Sequence, residues 1–137
     1  MKKKITIFFM IVFILLLPIM INAFSKVMTP DKILLVGHQI SEYEFEFTKE
    51  IKDEQKVSEF EQLFEEIVFS TEEWHEETYA DTIFQINHKE GIYTHSLKIW
   101  IDGEEAIMLK THDRENKTAT IGKLSKSQLE NLETIIK

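Results

Sequence analysis

The 137-residue chain carries 16 Lys and Arg against 24 Asp and Glu, a net charge of −8; setting aside Lys2, Lys3 and Lys4, 13 basic residues face 24 acidic ones and the remainder carries −11. That sign argues against nucleic acid and against adhesion to anionic lipid headgroups. The chain has no cysteine, which excludes disulfides, thiolate metal sites and a thiol nucleophile.

The three lysines precede an apolar run, Ile5 to Phe24, of 20 residues. At the helical rise this run covers roughly 30 Å, the thickness of a bilayer's hydrocarbon layer. A hydrophobic helix is therefore predicted at the N-terminus, inserted in a membrane through residues 5–24. Positive charge stays on the cytoplasmic side, so the rest of the chain is expected outside the cytoplasm. Two forms fit. As a signal peptide, the segment would be cut near Ala23 after the helix-breaking Pro18 and the protein secreted. As an uncleaved anchor, it would hold the domain at the membrane; the run is longer than a typical signal core, and Ile21 suits a cleavage site poorly. Residues 1–24 are thus a signal peptide or anchor helix, 25–31 a short linker, and 32–137 one extracytoplasmic domain.

Within the domain, Lys32 to Val36 (KILLV) reads as a buried strand. Tyr43, Phe45 and Phe47 then alternate with Glu42, Glu44 and Glu46, which predicts a half-buried strand running to about Ile51 with an acidic outer face. Asp53 can cap a helix whose stripe is Val57, Phe60, Leu63, Phe64, Ile67 and Val68. Ser70 to Asp81 shows no period and reads as a loop. Three strands follow: Thr82 to His88, Ile92 to Ile101 after the Gly91 turn, and Glu105 to Thr111 after the Asp102-Gly103 hairpin signal. Lys117 to Ile121 reads as a short polar edge strand. Ser125 and Gln128 stand at capping-box spacing before a helix with Leu129, Leu132, Ile135 and Ile136 on one stripe. The expected fold is α+β: one small domain with an antiparallel sheet of about five or six strands and two helices on one face.

The block TIFQINHKEGIYTHSLKIWID, the hairpin to AIMLK, the polar THDRENKT segment and the closing L-S-x-x-x-x-x-L helix resemble the YhfM-like domains. Those are exported or lipid-anchored α+β domains of Gram-positive bacteria with no assigned function. Asp81, Leu97 to Trp100, Lys110 to Asp113 and Leu124 to Leu129 carry most of the resemblance, which spans roughly residues 32–137. It implies an extracytoplasmic location and brings no catalytic residues. The chain departs from the lipoprotein pattern, because it has no cysteine to carry a lipid.

No catalytic, cofactor or metal residues are assigned. His75 begins HEETY, where Tyr79 occupies the place of the second histidine of HExxH, so a zinc hydrolase of that type fails. Trp74 sits among Glu72, Glu73, Glu76 and Glu77, a setting for weak divalent-ion binding, for a solvated acidic loop, or for a partner surface anchored by the indole. His88 and His95 flank the Gly91 turn and can approach each other across a hairpin. Trp100 has the opposite parity from Leu97, Ile99 and Ile101, so it is expected on an open sheet face with Thr94, Ser96 and Lys98. Trp74, Trp100, Thr94 and Lys98 form the candidate binding surface. The expected function is non-enzymatic binding of an envelope protein or cell-wall component. The alternatives are a small inhibitor or immunity-type protein with an acidic blocking surface, and a hydrolase using histidines with neighbouring carboxylates and a metal.

Overall fold

Short apolar runs separated by polar turns pair here into a single antiparallel sheet. The computed structural model describes residues 30–137, together with Pro18. Apart from Pro18, the hydrophobic helix expected over residues 5–24, and the linker through residue 29, lie outside the described residues. Among the described residues no helix is long and apolar enough to cross a membrane.

Seven strands, β1 (Lys32–Gln39), β2 (Phe45–Ile51), β3 (Phe69–Glu73), β4 (Thr82–His88), β5 (Tyr93–Asp102), β6 (Glu105–Asp113) and β7 (Thr118–Leu124), are ordered β2-β1-β4-β5-β6-β7-β3. Helices α1 (Glu54–Glu66) and α2 (Lys126–Ile136) complete the α+β domain, and Asp31–Lys137 forms one compact unit. The sheet therefore has more strands than the five or six expected.

The extra strand is β3, which falls inside the segment read as a loop. It pairs along β7 from Phe69 opposite Gly122 to Glu73 opposite Thr118. Only Phe69 is even half-buried, so β3 carries no apolar alternation; as the outer strand it presents acidic side chains that discourage further pairing. Its presence also moves β7 off the edge, against expectation. β2 corrects the sequence reading in the other direction. Tyr43 precedes the strand, and Phe45 and Phe47 are exposed rather than half-buried, because β2 is the opposite edge and buries only Ile51.

The helices cover one face. Asp53 caps α1 by accepting from Gln55 N and Lys56 N, and Val57, Phe60 and Leu63 turn inward. Phe60 packs on Phe84 with ring centroids 5.1 Å apart. Burying one such side chain contributes about 1.5–3 kcal/mol. The helix ends at Glu66, so Val68 leaves the stripe and is exposed. The Ser125–Gln128 capping box forms as expected, and Leu129, Leu132 and Ile135 join the same core with Leu34, Ile86, Leu97, Ile99 and Met108. The Lys49 ammonium donates to the carbonyls of Ile136 and Lys137, which ties the end of α2 to β2.

The other face carries a smaller core of Leu109, Ala119 and Ile121, with Trp74, Trp100 and Ile107 against it. Parity thus places Trp100 across the sheet from Leu97 and Ile99, as the strand pattern predicts. That face is not open, however.

Candidate functional site

The cover of the second face is the segment between β3 and β4. After Glu73 the chain stays beside β7 for one more residue, where Trp74 N donates to Lys117 O at 3.0 Å. It then crosses to β5. The Lys98 ammonium of β5 reaches Glu76 at 3.0 Å, the Trp100 indole donates to Thr78 O at 3.0 Å, and Asp81 N donates to Ile99 O at 2.9 Å. The Asp81 carboxylate accepts from Ile101 N at 2.7 Å. Trp74, Glu76 and Ala80 are at least half-buried while His75, Glu77 and Tyr79 are exposed. This pattern marks an extended strap that turns Trp74, Glu76 and Ala80 toward the sheet, while Thr78 is exposed and meets the sheet through its backbone carbonyl.

Two further loops meet the strap. Gly37 lies at a bulge in β1, where a β-carbon would come within 2.1 Å of Glu46 O, so only glycine permits this approach of β2. Beyond it, the buried Gln39 amide joins the hairpin tip to the strap: its Nε2 donates to Ser41 O and its Oε1 accepts from Ala80 N. The tip reaches the β6–β7 turn. Arg114 lies over the Tyr43 ring at 4.9 Å, donates to its hydroxyl at 3.1 Å and pairs with Glu42 at 3.3 Å. The turn itself is closed by Asp113, whose carboxylate accepts from Glu115 N, Asn116 N and the Asn116 side-chain amide. The Asn116 side-chain bond, followed by its backbone N–H, holds the Asp113 carboxyl below its ordinary range.

Between these loops lies a cleft of about 830 Å³. The hairpin tip supplies Glu42, the strap supplies Trp74 through Tyr79, and the turn supplies His112, Arg114 and Lys117. Glu42 is engaged by Arg114 and Glu76 by Lys98. Among the described residues neither Glu77 nor Lys117 forms an ion pair, so the cleft retains one charge of each sign. Trp74 packs on Trp100 with centroids 5.1 Å apart, and its buried indole N–H has no acceptor. A buried donor without a partner costs about 1–3 kcal/mol, which the rest of the fold must offset.

Of the four residues expected on a binding surface, Trp74, Trp100 and Lys98 come together. Trp100 and Lys98 lie under the strap rather than on an open face, because both are bonded to strap atoms. Lys98 is 18 % exposed and also lies 5.6 Å from the Phe45 ring and 6.0 Å from that of Trp100. Thr94 is on the helix side. A bulge with His95 at φ 52° shifts the register of β5 there, so Thr94 and His95 both turn toward the helices. The Thr94 hydroxyl is shared by His88 Nε2 at 2.7 Å and His95 Nδ1 at 3.1 Å, and the His95 ring meets Phe64 edge-on at 4.7 Å. The two histidines thus approach across the hairpin as expected, through a hydroxyl. Burial pushes the His95 imidazole below its ordinary value; Glu61 opposes this, and Lys32, His88 and Lys110 add to it.

His75 and His112 share the cleft, while His38 faces Glu46 at 3.3 Å. Among the described residues no three histidines or carboxylates converge in a way that could hold a metal ion. The residues missed from sequence include Glu42, Tyr43, Arg114 and Lys117. The burial alternation of the strap had a trace in Trp74-x-Glu76-x-x-x-Ala80, but the meeting of residues 42 and 114 has none. In comparisons with known proteins, no family model matches this chain, no curated protein matches it, and no solved structure matches its fold.

Proposed function

We propose that the chain is a non-enzymatic extracytoplasmic binding domain, held at the membrane or released through residues 5–24, that takes an envelope component in the cleft between hairpin tip, strap and β6–β7 turn. The observation that carries this reading is the cleft itself. Three loops from distant parts of the chain converge on it, and they leave a buried indole N–H without an acceptor beside one free charge of each sign. Membership of the YhfM-like domains is part of the proposal and stands on the sequence blocks alone. A zwitterionic ligand, such as the peptide stem of a cell-wall fragment, suits Lys117 and Glu77 together.

Of the chain's two tryptophans, Trp74 lines the cleft and Trp100 packs against it, so indole emission reports on the site. Titration with purified soluble muropeptides is expected to give a saturable emission change that weakens when Lys117→Ala or Glu77→Ala is introduced. Unchanged emission, with no retention of the domain on isolated cell walls, would remove cell-wall fragments as the ligand. A second reading, an inhibitor of a basic protein, draws on the net charge of −11 outside the first lysines. It calls for binding to a cationic protein that weakens steeply with salt.

A further inference from the structure

The point where the chain enters the sheet is fixed to the β4–β5 turn. Lys89 N donates to Asp31 O at 2.9 Å, the Lys89 ammonium lies 3.6 Å from the Asp31 carboxylate, and Lys32 pairs with His88 in register. The turn is closed by His88 N donating to Ile92 O at 2.8 Å and by Gly91 at φ 82°. It presents two large side chains to solvent: Ile92 is 60 % exposed and Tyr93 64 %. The apolar run of the sequence ends at Phe24, and the seven residues 25–31 span at most about 25 Å when extended.

We propose that, in the anchored form, the β4–β5 turn seats Ile92 and Tyr93 in the interfacial layer of the lipid bilayer and so turns this end of the sheet toward the membrane. This rests on the membrane-anchored form of the function proposed above. An aliphatic side chain beside a tyrosine is the pairing that the headgroup boundary favours, an apolar body with a polar tip. Two side chains bind a bilayer weakly on their own. A short tether raises the local concentration of membrane into the millimolar range, where weak contact suffices. The contact does not depend on anionic lipid. Lys89 is engaged by Asp31 and Lys32 by Glu61 at 2.7 Å, and Glu90 adds a negative charge to the turn. The occupant is therefore the headgroup boundary of the bilayer itself, with no requirement for anionic lipid, and phosphatidylcholine vesicles serve as the probe.

The absence of cysteine makes a single introduced thiol unique. The full chain, with an environment-sensitive fluorophore on Glu90→Cys, is reconstituted into phosphatidylcholine vesicles containing a doxyl-labelled quencher lipid. The control label sits on Asp102→Cys at the other end of the ten-residue β5, about 30 Å away. The expected result is severalfold stronger quenching at position 90 than at 102, with the excess lost when Ile92→Ser and Tyr93→Ser are added. Flotation of the same samples reports attachment. A chain that floats but shows equal quenching at both positions overturns the contact and leaves the anchorage standing. A chain that does not float overturns the anchored reading, and the contact with it. Excess quenching that survives the double serine change overturns the assignment to these two side chains.

Discussion

The strap is held to the sheet at its middle by one ion pair, and a double-mutant cycle measures what that pair contributes. Lys98 and Glu76 meet at 3.0 Å with 18 % and 19 % of their side chains exposed. At an effective dielectric of about 20, charges at that separation attract by about 5 kcal/mol before desolvation is charged against them. Removing both from water offsets most of this, and the remaining exposure screens it further, so the net coupling should be about 1–2 kcal/mol. Lys98→Met leaves Glu76 charged under the strap without a partner and should cost about 2–3 kcal/mol. Adding Glu76→Leu removes the stranded charge and should restore most of that loss. Urea denaturation of the domain from Asp31 onward gives all four corners of the cycle. If the double variant is destabilised by the full sum of the two singles, the pair is not coupled and the strap is held by its backbone hydrogen bonds alone.

The two tryptophans should respond differently to loss of the indole N–H. Trp100→Phe breaks the bond to Thr78 O and should cost about 1–2 kcal/mol more in thermal or urea unfolding than Trp74→Phe, which removes a donor that has no acceptor. Equal costs would mean that the Trp74 N–H is satisfied in solution. Gly37→Ala places a β-carbon against Glu46 O and should destabilise by about 2–3 kcal/mol, with loss of the tip contacts seen as loss of Arg114 protection in NMR. For His95, burial lowers the folded pKa below the ordinary 6.5, so the unfolded chain binds the proton first. Its contribution is complete above pH 6.5 and falls as acid is added below that value. The wild-type urea midpoint should therefore drop further between pH 7.5 and 5.5 than that of His95→Gln, and a parallel drop in both would refute the assignment.

What the sequence discloses and what it hides follow from how local each signal is. Both helices are legible because cap and stripe lie within one turn of each other: Asp53 before Val57 and Phe60, Ser125 with Gln128 before Leu129. The face assignment of Trp100 is equally local, since parity along β5 needs only its neighbours Leu97 and Ile99. β3 escapes because an edge strand has no buried side to pattern, and Glu72 and Glu73 read as loop. β2 misleads for the same reason in reverse, as its aromatic alternation suggests burial that an edge does not provide. Thr94 is misplaced by a single-residue bulge at His95, which reverses the face of everything before it. The cleft is the least legible feature. Glu42 and Tyr43 are far from Arg114 in the chain, and nothing near either end announces that they meet.

If the domain meets its ligand in the cleft between the hairpin tip, the strap and the β6–β7 turn, purified soluble muropeptides should shift the amide signals of those three loops. The largest changes should fall in three separate stretches, residues 40–44, 74–81 and 112–117, together with both indole N–H signals. Changes confined to the helix side, around α1, α2 and the His88–His95 pair, would contradict it.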